Sequence, residues 1–258
     1  MINWKNEIKN ISNWMREYLV DSGCGGYVLG CSGGIDSSVC LAILKRSISV
    51  ENIKAVALPC NSNADSLIDA QKLADNLGIK LEVINLGNSF NTIVENLKSI
   101  NNNEEISNLV KGNIAARLRM VHLYSIANQY NMLVIGTCNK SELMISYGTK
   151  FGDLSSDLEI IGKWYKTEIY KLAASMPEIP ESIINKKPSA DLWQNQTDEY
   201  DIGFNYPTLD RILQRWESDN GKYIDYNDDI TEEDFNKVSV MIKKSEHKRK
   251  MPPMCPRL

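Results

Sequence analysis

Four short apolar runs, with helix-like stretches between them, restrict what this chain can fold into more than any other feature. The runs are Tyr27-Val28-Leu29-Gly30-Cys31, Ile53 to Leu58, Lys80 to Ile84 and Met132 to Gly136. Each has the length and character of a strand buried on both faces. Between them, residues from about Asp36 to Lys45, Asp65 to Leu77 and Gly112 to Tyr130 read as helices, and Gly78 closes the second. Strands joined through helices run parallel, and right-handed crossovers leave helices on both faces of the sheet. The predicted class is α/β, a doubly wound and mainly parallel sheet.

The flanking segments add helices to this frame. Trp4, Ile8, Ile11, Met15, Tyr18 and Leu19 form one stripe of an amphipathic helix that Gly23, Gly25 and Gly26 stop. Ser146 to Asp157 is rich in Gly, Ser and Asp and reads as a loop. Residues 163–175 read as a helix, Pro177 to Asn205 as a polar, Pro-broken stretch, and Pro207–Trp216 and Glu232–Lys244 as two more amphipathic helices. No linker separates a second domain. The expectation is one domain over residues 1–258, with the helix of 1–22 and the helices and basic tail of 206–258 as parts of it.

Composition removes several function classes. The 258 residues carry a net charge of -4, which argues against a protein that wraps nucleic acid. No apolar run approaches the roughly 18 residues that span a bilayer, and the first residues lack the plan of a signal peptide. Cys24, Cys31, Cys40, Cys60, Cys138 and Cys255 form no CxxC pair, so neither a zinc site nor a disulfide frame is expected. Free thiols suit a reducing compartment, and the expected location is cytoplasmic. With only His122 and His247, a Cys–His relay is poorly supported.

The chemistry is concentrated in Gly30-Cys31-Ser32-Gly33-Gly34-Ile35-Asp36-Ser37-Ser38, between the first strand and its helix. Small residues let the backbone approach an anion, and the first helical N–H groups point at it. Hydroxyls of Ser32, Ser37 and Ser38 add donors, and Asp36 suits a magnesium ion bridging phosphates. The string is neither a Walker loop nor a GxGxxG fingerprint. It resembles the pyrophosphate loop of the N-type ATP pyrophosphatases, which cut ATP between the α and β phosphates.

Further motifs choose among the members of that superfamily. Gly112-Asn113-Ile114-Ala115-Ala116-Arg117-Leu118-Arg119-Met120, Gly136-Thr137-Cys138-Asn139-Lys140-Ser141-Glu142 and Thr149-Lys150-Phe151-Gly152-Asp153 are similar to signatures of the NAD synthetases. Lys166, Pro188-Ser189-Ala190-Asp191-Leu192, Thr197-Asp198-Glu199 and His247-Lys248-Arg249 follow in that family's order. The resemblance runs from about residue 4 to the end of the chain. It implies an adenine nucleotide alpha hydrolase-like fold and the ATP-dependent amidation of deamido-NAD to NAD. In that reaction the substrate carboxylate attacks the α phosphorus, releasing pyrophosphate, and ammonia then displaces AMP from the acyl-adenylate.

The resemblance also implies roles. Gly30, Cys31, Ser32, Gly33, Gly34, Ile35, Asp36 and Ser37 cradle ATP, with contacts from Thr137, Lys166 and Ser189. Asp36 and Glu142 hold Mg2+. Arg117, Lys150, Asp157, His247 and Lys248 contact deamido-NAD. The site must offset repulsion between a carboxylate and a polyphosphate, and Lys150 and Lys166 are the expected charge neutralisers. Because ammonium is not a nucleophile, Asp157 is the expected group that captures and deprotonates it. Arg117 and Arg119 lie two apart on a helix and cannot share a face, so one is expected to be a surface charge. The stripe Val121, Tyr124, Ser125, Asn128 suggests packing, at a subunit contact if the chain follows its family. A homodimer with the dinucleotide at the interface is implied.

Glutamine-using relatives carry a separate N-terminal amidase domain; here the loop begins within roughly 30 residues of the start, and a domain rarely runs below about 50, so the expected nitrogen donor is free ammonia. Two departures stand out: Gly148 where many relatives carry a bulkier residue, and Cys138 where Asp, Asn or Gly is frequent. A thiol is a poor magnesium ligand, so Cys138 is given no metal role. Two other readings compete. A GMP-forming or tRNA-thiolating ligase would share the loop, but a thiolating enzyme should show catalytic cysteines and a basic surface. A silent ATP-binding module would not need Asp36, Glu142, Lys150 and Lys166 together.

Overall fold

The computed structural model describes residues 2–60, 64–100, 102, 104–189, 193 and 196–255. Parts of the segment at 188–192 and of the tail of 206–258 lie outside the described residues. Five strands, β1 (Gly26–Gly30), β2 (Ile53–Ala57), β3 (Leu81–Val83), β4 (Met132–Gly136) and β5 (Leu158–Glu159), form one sheet in the order β3-β2-β1-β4-β5. Every neighbouring pair is parallel. The central strand β1 pairs Leu29 with Ala55 on one side and Ile135 on the other.

Eleven α-helices are described: α1 (Trp4–Ser22), α2 (Ile35–Ser47), α3 (Ala64–Leu77), α4 (Gly87–Ile100), α5 (Asn108–Tyr130), α6 (Lys140–Ile145), α7 (Lys166–Ala174), α8 (Glu181–Ile184), α9 (Asp198–Ile202), α10 (Tyr206–Ser218) and α11 (Glu232–Ser245). Alternation along each strand divides the core between the two faces of the sheet. Tyr27, Leu29, Ile53, Ala55 and Ile135 pack with α1, α2, α3 and α7. Val28, Val56 and Val134 point the other way, onto Phe90 and Val94 of α4 and Ala115 and Ala127 of α5. The doubly wound α/β class is as expected. A third cluster joins Ile145 of α6 to Leu209, Ile212 and Leu213 of α10 and Phe235 and Val238 of α11.

The sequence reading misses β5, α4 and the short helices α6, α8 and α9. β5 has two residues, too few for any periodicity, and exists through its ladder to Ile135 and Gly136. α4 is rich in Asn and Ser, weak helix formers, and is held by the apolar pair Phe90 and Val94 four residues apart. α5 starts at Asn108, earlier than the Gly112 expected, because Ser107 caps it by accepting from the Val110 amide at 3.4 Å. Residues 146–157 are a run of tight turns rather than an open loop: the Thr149 carbonyl accepts from Gly152 (2.9 Å) and Leu154 (3.4 Å).

Candidate active site

Parallel α/β sheets bind ligands beyond the carboxyl ends of their strands, where neighbouring connections leave in opposite directions. Here that point lies between β1 and β4, since β1 continues into α2 on one face while α5 comes to β4 from the other. A cavity of about 1410 Å³ opens there, lined by the ends of β1 (Gly30 to Ser32), β2 (Ala57 to Pro59) and β4 (Gly136 to Cys138).

Its floor is the turn into α2. Gly33 takes φ +76, in the left-handed region that glycine tolerates best. The serines close this turn on itself: Ser37 Oγ lies 3.0 Å from Ser32 Oγ and donates to the Gly34 carbonyl at 3.1 Å, and Ser38 Oγ donates to the same carbonyl at 2.8 Å. No side chain caps the first turn of α2. Its dipole and its unshared amides are thus left for an anion.

Above the turn four side chains meet. Asp36 Oδ2 accepts from Lys166 Nζ at 2.5 Å, and Glu142 Oε1 accepts from the same ammonium at 3.2 Å. Asn139, fully buried, donates from Nδ2 to Asp36 Oδ1 at 3.0 Å. The same residue caps α6, its Oδ1 accepting from the Glu142 amide (3.1 Å) while its own amide donates to Glu142 Oε2 (3.3 Å). Lys166 is only 3% exposed; burial would lower its pKa, but the carboxylates of Asp36, Glu142 and Asp198 hold its ammonium above the usual lysine range, and the Tyr206 ring lies 5.1 Å from it. Burial pushes Glu142 up, to about 8, against the attraction of Lys166. Tyr206 donates to Asp198 at 3.0 Å, and burial also raises Asp198.

Two carboxylates on one ammonium form a hard, oxygen-rich donor pair of the kind that Mg2+ takes. Asp36 and Glu142 fit the ion. The described residues contain no group of three acidic, His or Cys side chains that could hold a metal, so further ligands would be phosphate oxygens and water.

The expected ATP residues, the turn 30–37 with Thr137, Lys166 and Ser189, reach one cavity, Gly33 as the hinge of the turn and the others in its lining; Glu142 and Lys248 line it too. Lys248 Nζ donates to the Ser146 (3.0 Å) and Gly148 (2.8 Å) carbonyls. The other deamido-NAD residues lie on the surface beside it. Arg117 donates to the Lys150 carbonyl at 3.3 Å, and Lys150 Nζ donates to the His247 carbonyl at 2.7 Å. The Lys150 ammonium is engaged by the His247 carbonyl, and Lys150 is not among the residues that line the cavity, whereas Lys166 is. The Asp157 carboxylate accepts from the Val134 amide at 2.7 Å and the Tyr124 hydroxyl at 3.4 Å, a pairing that secures β4. Of the two arginines, Arg119 lines the cavity and donates to the Leu58 carbonyl at 3.2 Å, while Arg117 is the exposed one.

The two departures have structural counterparts. Cys138 is buried with its thiol pushed well above the usual range, an unreactive state. A Cβ on Gly148 would lie 2.6 Å from Asp153 Oδ2 and 2.8 Å from Leu154, so the turn is shaped around glycine.

Comparison with known proteins decides the family. The family model described as NAD synthase matches residues 7–252. The chain belongs to the NAD synthase family. The NH(3)-dependent NAD(+) synthetase of Thermoplasma volcanium is 39% identical, with 98% of each chain covered. That of Syntrophomonas wolfei is 38% identical over 96% of this chain and 94% of that protein. Among solved structures, the NMN synthetase of Francisella tularensis superposes with a TM-score of 0.86 at 30% identity, covering both chains completely. The NH3-dependent NAD synthetase of Campylobacter jejuni gives 0.81 at 30% identity, over 99% of this chain and all of that one. The α/β fold with its single parallel sheet matches those solved structures. Asn139, Arg119, Asp198 and Tyr206 are the site residues the sequence reading left without roles; only the capping pattern of Asn139 with Glu142 three residues on was visible in advance.

Proposed function

We propose that this chain catalyses the ATP-dependent amidation of deamido-NAD with free ammonia, giving NAD, AMP and pyrophosphate. The observation that carries the reading is the meeting of Lys166, Asp36 and Glu142 directly above an uncapped, glycine-hinged turn. The turn would take the β and γ phosphates on backbone amides and serine hydroxyls. Lys166 would neutralise charge that builds as the substrate carboxylate strikes the α phosphorus. Asp36 and Glu142 would hold Mg2+, which supplies charge screening and orientation of the polyphosphate. Leu58, Met120 and Leu123 offer an apolar wall for adenine, with Arg119 at its edge.

Arg117, Lys150 and His247 form the adjoining surface group proposed for the dinucleotide, with Lys248 joining it to the cavity. They lie beside the exposed face of α5, where Val121 is half exposed, which supports a homodimer that completes the dinucleotide site. No described helix is long and apolar enough to cross a membrane.

The test is direct. The purified chain with ATP, Mg2+, ammonium and deamido-NAD should form NAD and AMP in equal amounts, and glutamine should not replace ammonium. The likeness to the Francisella NMN synthetase supports a second reading, with nicotinic acid mononucleotide as the acid. Turnover of that acid in preference to deamido-NAD would establish it instead. Capture of ammonium is settled by comparing Asp157→Asn with Asp153→Asn, since Asp153 lines the cavity and burial raises its carboxyl. The variant lacking the capturing group should need on the order of a hundredfold more ammonium at constant pH, the usual worth of a proton-transfer group. The other should not.

A further inference from the structure

Asp36 and Glu142 present four carboxylate oxygens, and each already has a partner. Asn139 takes Asp36 Oδ1 through its side chain and Glu142 Oε2 through its backbone amide. The two that remain, Asp36 Oδ2 and Glu142 Oε1, are the pair on Lys166 Nζ, at 2.5 and 3.2 Å, and Glu142 Oε1 also accepts from the Tyr206 hydroxyl at 3.4 Å. A divalent cation bridging the two acids needs those same two oxygens, because the outer pair face Asn139 and are fixed by the cap of α6. An ammonium and a dication between the same two oxygens would meet as like charges at close range, so the two compete for that position. Lys166 is almost completely buried, and removing both carboxylates from it without a replacement would strand a buried charge. A polyphosphate in the turn below offers that replacement.

We infer that Lys166 is a resident counter-ion of the metal site, and that a divalent cation binds only together with a polyphosphate that takes the lysine over. The inference rests on the assignment of Asp36 and Glu142 as the metal ligands. It makes metal and nucleotide affinities reciprocally coupled, as linkage requires. It also explains why two acids can be kept facing each other in the resting site.

The test uses Mn2+ as the probe, read by water-proton relaxation and electron paramagnetic resonance at fixed pH, which report binding without turnover. The wild-type chain should leave free Mn2+ unaffected in the absence of nucleotide. It should form a protein-bound Mn2+ signal with α,β-methylene-ATP, which cannot be cut at the reacting bond. Lys166→Gln should bind Mn2+ alone, at least about tenfold tighter than wild type, within the usual range of coupling factors. Lys166→Arg, which keeps the charge, should not, and Lys166→Gln with Asp36→Asn should lose the gain. Circular dichroism checks that each variant is folded, and the two wild-type measurements decide the matter by themselves if none is. Mn2+ binding to wild type alone as tightly as in the ternary complex would overturn the inference and leave the metal assignment standing. No bound Mn2+ in either the ternary complex or Lys166→Gln would overturn the metal assignment, and the inference with it.

Discussion

A Cβ at position 33 would sit 2.0 Å from the Ser66 carbonyl oxygen, and the φ of +76 there is strained for any side chain. Both objections concern backbone, which cannot swing aside as a flexible side chain can. Gly33→Ala should therefore lower stability by at least about 2 kcal/mol, as read by urea unfolding, and should remove activity even in the folded fraction. The neighbouring Gly34 meets only the Ser32 hydroxyl, at 3.3 Å, which has room to turn. This turn was legible in the sequence because all its parts are contiguous: strand, small residues, serines, helix start. Asn139 was not, since the residue it steadies, Asp36, lies 103 positions away. Arg119 was equally hidden, for its partner is a carbonyl, the Leu58 oxygen 61 positions earlier, and a carbonyl carries no signature in residue type.

At the scale of elements, the short strand β5 matters beyond its two residues. Its Glu159 turns under the site, Oε2 accepting from the Cys138 amide at 3.1 Å and Oε1 from the Ser156 hydroxyl at 2.9 Å. One carboxylate thus ties the β4–α6 turn, which carries Thr137 and Asn139, to the turns before β5. Burial pushes this carboxyl up to about 7, and the two donors only partly oppose it. The folded state therefore holds the proton more tightly than the unfolded chain does. The stability this proton contributes is fully present below pH 4.5 and is lost as pH rises through about 7. Glu159→Gln, which does not titrate, should gain on wild type by up to about 1.4 kcal/mol per pH unit across that window and no further above it. Thermal unfolding of both proteins between pH 5 and 8 reads the difference, and parallel curves would show that Glu159 is ionised throughout. Nothing in a two-residue strand announces such a link. The long helices and the four longer strands were readable because their periodicity spans several turns or a whole buried run, while β5 and α4 depend on what they pack against.

For the whole molecule, the distribution of the site residues raises the question of assembly. The residues proposed for ATP converge on the cavity, whereas Arg117, Lys150 and His247 stand outside its lining, joined to one another through the Lys150 and His247 carbonyls. Arg117 shares the outer face of α5 with Val121, Ser125 and Asn128, all exposed. A dinucleotide reaching from the cavity to that group would be half in solvent in a single chain. A second copy packed on α5 would cover it and would bury the apolar Val121, which alone would be an ordinary exposed side chain. Val121→Asp places a charge at the centre of that face and touches neither the core nor the pyrophosphate turn. If the face is the dimer contact, sedimentation velocity should show wild-type dimers and variant monomers at the same concentration, with thermal stability in the monomer still cooperative. The Michaelis constant for deamido-NAD should then rise by about tenfold or more, the effect of roughly 1.4 kcal/mol of lost contact, while that for ATP, held within one chain, should change little. A variant that stays dimeric, or a monomer with unchanged use of deamido-NAD, would place the dinucleotide wholly within one subunit.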